Sequence, residues 1–194
     1  MRFSTTLASL ALFSATALAA PTEVATPTII THDSVEIPES IVNATALGLD
    51  LYGSIPDDAV KEGDHWTAQP GTLAAAWFRA QIDLDAYEEQ LETAGAPVEK
   101  RQWANIGIGL WTQDNCQGAV AYWDNVQYNV HHYTGANTFA VGIRYRGLRW
   151  GEHLDFSRLQ GSDWCGQYVT NVLGPTGTGC GHMPATNCFR LWSE

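Results

Sequence analysis

The cysteines constrain this chain most. Cys116, Cys165, Cys180 and Cys188 all lie beyond Lys100-Arg101, in residues 102–194, and the segment before that pair has none. A region of 93 residues is marginal on core burial alone. Two disulfides would each add roughly 2–4 kcal/mol, so an oxidised, cross-linked small domain is expected. Three pairings are open. Sequence does not choose between them; one of the three closes a small loop from Cys180 to Cys188 across His182-Met183-Pro184, with Cys116–Cys165 tying distant parts. There is no CxxC and no HExxH, so no metal and no cofactor is expected.

Lys100-Arg101 also divides two compositions. Residues 1–101 hold five Lys+Arg against fifteen Asp+Glu, or −10; residues 102–194 hold five against six, or −1. The acidity therefore belongs to the first part. The near-neutral second part has no basic patch for nucleic acid or for an anionic membrane surface. Met1–Ala20 pairs the charge of Arg2 with a short apolar run ending in Ala17-Leu18-Ala19, the pattern of a secretory signal cut after Ala19. The run is too short to span a membrane, and no later segment is long enough. Asn43-Ala44-Thr45 is an N-glycosylation acceptor on a secretory route.

Residues 20–101 read as an acidic propeptide. Residues 21–60 are rich in Pro, Thr, Ser and acids and are expected to be mostly extended or disordered. Residues 72–93 carry Leu73, Trp77, Leu84, Tyr87 and Leu91 at helical spacing, closed by Gly95 and Pro97. This amphipathic helix either packs on the region that follows or serves as a solvated spacer. Val98-Glu99-Lys100-Arg101 resembles the substrates of kexin-type proteases in secreted fungal precursors. That resemblance implies one mature product beginning at Gln102.

The mature part, 102–194, reads as all-β: a small disulfide-stabilised Greek-key sandwich. Ile106–Trp111 alternates apolar with small residues. Ala119–Tyr122, Val126–Val130, Phe139–Arg146, Gln167–Val172 and Phe189–Trp192 are further strands, punctuated by Gly and Asn/Asp. Trp111-Thr112-Gln113-Asp114-Asn115-Cys116-Gln117-Gly118, followed by Thr138-Phe139-Ala140-Val141, resembles the opening of a βγ-crystallin-type unit, as in killer-toxin-like proteins. The resemblance implies a folded hairpin with Gly118 at positive φ. It covers about 40 residues. The second repeat is missing, since Ser157 stands at the glycine spacing after Trp150, and calcium is not carried over. A generic small β-sandwich or barrel is the alternative.

Glu152, His153 and Arg149 are the residues from which a ribonuclease-like or glycan-cleaving site would be built, with Glu as base and His as acid. The family motifs of such enzymes are missing. His131 and His132, adjacent on a strand, would face opposite ways, as solvent-exposed residues near a turn. Fourteen aromatics fill the mature part. Tyr122, Trp123 and Trp150 are the best surface anchors for a glycan or a host protein, because neighbouring strand residues cannot face one core. The expected function is that of a secreted, processed monomer acting outside the cell by binding, as a toxin-like, antimicrobial or host-directed effector. A small secreted hydrolase or a wall-associated structural protein is the alternative.

Overall fold

The structure, a computed structural model, describes residues 35–93 and 106–194. The signal-like stretch with Ala19, and Lys100-Arg101 with its flanks, lie outside them. Two helices, α1 (Glu39–Ala46) and α2 (Leu73–Thr93), and a hairpin of β1 (Val60–Glu62) and β2 (His65–Ala68) come from the N-terminal segment. Six strands follow: β3 (Gly107–Gln113), β4 (Gln117–Trp123), β5 (His131–Arg144), β6 (Glu152–Gln160), β7 (Asp163–Leu173) and β8 (Gly179–Ser193). The eight strands pair antiparallel in one sheet, in the order β1-β2-β4-β3-β5-β8-β6-β7.

The N-terminal segment is thus built into the fold. β2 pairs with β4, setting Trp66 opposite Tyr122 and Thr67 opposite Ala121. α2 starts where the Asp58 carboxylate accepts the amides of Leu73 (2.7 Å) and Ala74 (2.8 Å), while Thr72 Oγ1 accepts that of Ala75. These are the orphan donors of a helix N-terminus. The buried residues of α2 are Ala74, Trp77, Phe78, Ala80, Gln81, Ile82, Leu84 and Asp85, a band wider than one helical stripe, with the expected Trp77 and Leu84 among them. It differs from the expected one. Leu73 is exposed and Tyr87 is half-buried, while two polar residues, Gln81 and Asp85, take buried places. The spacer-helix reading is excluded by this packing. α1 corrects the expectation of an unstructured start: Ala44 is fully buried against α2, and Ser40 Oγ donates to Asp83 at 2.5 Å.

The β3–β5 centre of the sheet is covered on both sides. One core joins Trp77, Phe78, Ile82 and Leu84 to Trp111, Val120, Tyr122 and Ala140. The other joins Ile108, Leu110, Trp123, Ile143, Leu154, Phe156, Phe189 and Leu191. The Ile-Gly-Ile-Gly alternation of β3 acquires a reason here. Gly109 is paired with Gly142, and both sit under the Trp111 ring. A Cβ on Gly142 would meet Trp111 at 2.7 Å and Ile82 at 2.8 Å. Two strands therefore omit side chains where α2 and Trp111 come closest.

Among the strand expectations, β3, β4, β5, β7 and β8 appear, with β8 longer than anticipated. Residues 126–130 are not a strand; only Tyr128 bridges, to Leu191. Asn125 and Asn129, at φ 62° and 64°, turn the chain there instead, a conformation asparagine tolerates. The unanticipated β6 lies between β7 and β8. The disulfides are Cys116–Cys180 and Cys165–Cys188, one of the three pairings open to the sequence and not the one with a Cys180–Cys188 loop. Cys180 lies on β8 opposite Gly142 of β5, on the side of the buried Cys116, whereas Cys188 pairs opposite Ser157, near β7.

Candidate functional site: an arginine cradle under helix α2

β5 ends at Arg144, which is 2 % exposed. Its charge is matched from α2: Nε donates to Asp85 Oδ2 at 3.0 Å, and Nη2 donates to Gln81 Oε1. Tyr145, at φ 67°, turns its backbone N–H onto the same Asp85 oxygen at 3.1 Å. A bulky residue rarely adopts that backbone conformation. It is anchored by the Tyr145 hydroxyl, which donates to Asp124 Oδ1 at 2.5 Å. The Tyr122 hydroxyl lies 3.2 Å from that of Tyr145 and 3.4 Å from Arg144 Nη1. The guanidinium sits 4.4 Å from the Tyr145 ring and 5.3 Å from the Trp77 ring, within cation–π range. A cavity of about 390 Å³ adjoins this cluster, with Leu51–Ile55 of the N-terminal segment along one side.

Burial pushes the Tyr145 phenol up to about 12 against the opposing charge of Arg144, helped by the bond to Asp124. Burial likewise raises Tyr122 well above the usual phenol range. At neutral pH both are hydroxyl donors beside a permanent cation. The arrangement suits recognition of an anion better than proton transfer, which needs a group titrating near the working pH.

A second polar junction fixes the β1–β2 turn. Asp64 accepts from His65 (3.1 Å) and pairs with His132 Nδ1 (2.9 Å). His132 is buried and stacked on Phe189, while His131 is exposed. The two do face opposite ways, but only one of them is in solvent. Burial lowers the His132 pKa despite the opposing pull of Asp64.

The other expected site residues are not brought together. Glu152 is buried: it accepts from Arg146 Nη1 (2.8 Å) and Nη2 (3.0 Å), from the Arg149 amide (2.6 Å) and from Tyr128 Oη. Burial would raise its carboxyl, yet those hydrogen bonds hold it at about 2. It is a locked anion that fixes the 146–152 turn. His153, on the opposite face of β6, stacks on Trp192 at 4.1 Å, and the Arg149 side chain is exposed. Tyr122 and Trp123 are each 1 % exposed, which corrects their reading as surface anchors. They do face opposite sides of β4, and both sides are covered. Trp150, 84 % exposed, is a surface residue. Asn43 is exposed on α1. Among the described residues, no group of three or more His, Cys, Asp or Glu is placed to hold a metal, and no helix is long and apolar enough to cross a membrane. The cradle escaped sequence reading, because Arg144 is one of three arginines within residues 144–149 and its partners lie about 60 residues upstream. No known protein family matches the chain, and no similar curated protein or solved structure was found.

Proposed function

We propose that the chain is a secreted precursor, cut after Lys100-Arg101, whose residues 102–194 act outside the cell by binding. The observation that carries this reading is the way α2 covers one face of the sheet. Asp85 and Gln81 occupy Arg144 from above, so the N-terminal segment acts as a fitted cap over the face that binds. The two disulfides suit an oxidising compartment. Gly118 at φ 83°, with the Ala119 amide donated to Thr112 Oγ1 at 2.9 Å, supports a hairpin like that of the βγ-crystallin and killer-toxin-like group. A toxin-like or host-directed effector is the role this profile fits best.

Intact mass of the secreted product tests the reading. The expected species begins at Gln102 and lacks four hydrogens for two disulfides, and the uncut precursor should fail to bind cells or wall material that the cut form binds. Equal binding by both forms would reject the cap.

A further inference from the structure

Two donors of the C-terminal region, Arg144 Nε–H and the Tyr145 amide, converge on a single carboxylate oxygen supplied by the N-terminal segment, the leader that the proposed cut would release. Asp85, Gln81 and Trp77 depart if the leader departs. Arg144, Tyr145, Tyr122 and Asp124 remain, with Tyr145 still anchored through its hydroxyl to Asp124. What remains is a cation in a largely apolar face, with a main-chain donor beside it. The guanidinium and the amide so exposed are adjacent donors that a carboxylate oxygen can accept from together, through charge-assisted hydrogen bonds.

We infer that Arg144 and Tyr145 form a recognition site for an acidic helical segment of a partner protein, which Asp85 of α2 fills in the uncut chain. This rests on the proposal that cleavage after Arg101 lets the leader go. The floor around the cradle defines the ligand further. Trp111 and Gly142 receive Ile82, three residues before Asp85. Tyr122 receives Phe78, seven residues before, with ring centroids 4.9 Å apart. Gln81, four before, accepts from the outer guanidinium nitrogen. The ligand is therefore a helix presenting an apolar residue, an acceptor and a carboxylate on one stripe, as in Phe78, Gln81, Ile82 and Asp85. The neighbouring Arg146 does not compete for it, being held by Glu152.

The test uses the precursor cut after Arg101 by a kexin-type protease and kept native throughout. A fluorescent synthetic peptide of residues 72–93 is offered with Asp or with Asn at position 85, and uptake is read by anisotropy while leader release is followed by size exclusion. The cut protein is expected to take up the Asp peptide at least tenfold more tightly than the Asn peptide. Arg144→Gln should remove that preference. Equal uptake of both peptides by the cut wild type would overturn carboxylate recognition while leaving the departing cap intact. No uptake of either, with the leader still co-eluting, would overturn both. If Arg144→Gln does not fold, the Asp85→Asn precursor carries the test. Its leader should leave at least fivefold faster after the cut, and an unchanged release rate would sink the proposal.

Discussion

Phe78→Ala probes whether the N-terminal segment and the sheet are one folding unit. Phe78 is fully buried, with its ring 4.9 Å from Tyr122 of β4 and 5.4 Å from Trp77. Truncating such a ring removes its transfer energy and leaves a cavity, about 3–5 kcal/mol together. For a domain of this size each kcal/mol shifts the midpoint by roughly 2–4 °C, so Tm should fall by about 6–20 °C. The assay is thermal unfolding of the uncut chain by near-UV circular dichroism, with hydrogen exchange at the amides of β3 and β4. Leu73→Ala, on the exposed side of the same helix, serves as the control and should stay within about 0.5 kcal/mol. If Phe78→Ala melts the helix while β3 and β4 keep their wild-type protection and Tm, the N-terminal segment is an appendage and the reasoning fails.

Partial proteolysis with mass mapping should return Cys116–Cys180 and Cys165–Cys188; closing 64 and 23 residues of chain, they contribute roughly 4 and 3 kcal/mol on a loop-entropy basis. Glu152→Gln should cost about 2 kcal/mol at neutral pH, because charge-assisted bonds to Arg146 and the Arg149 amide are lost. The carboxyl is depressed from 4.5 to about 2 on folding. Its contribution is therefore complete above pH 4.5 and fades as pH falls toward 2, so the mutant's acid unfolding curve should be flatter across that window. Gly142→Ala should cost about 1–3 kcal/mol through overpacking against Trp111 and Ile82, measured by urea unfolding. Trp150→Ala should leave stability within about 0.5 kcal/mol, and loss of cell or glycan binding in that variant would place a second contact there.

The strands of the C-terminal region were legible as short apolar runs bounded by Gly and Asn/Asp turns. α2 was legible through its period, but its orientation was not. Asp83, Asp85 and Gln81 look alike as solvated polar residues until Arg144 is placed opposite two of them. The same gap explains Tyr122 and Trp123. Strand alternation says that they face opposite ways, yet it cannot say that both sides are covered, since one cover comes from an upstream helix. Residues 126–130 alternate as a strand would, but two asparagines turn the chain. Disulfide pairing depends on which strands are neighbours, a long-range fact that spacing alone does not contain.

The β1–β2 hairpin has one more consequence. β4 is internal only because β2 lies beside it. Without that neighbour, Gln117–Trp123 becomes an outer strand, with unpaired amides and carbonyls and with Val120, Ala121, Tyr122 and Trp123 along it. Such an edge is a template for strand addition. Residues 102–194 should therefore associate laterally at high concentration once the N-terminal segment has left, and the hairpin holds off that self-pairing until the proposed cut.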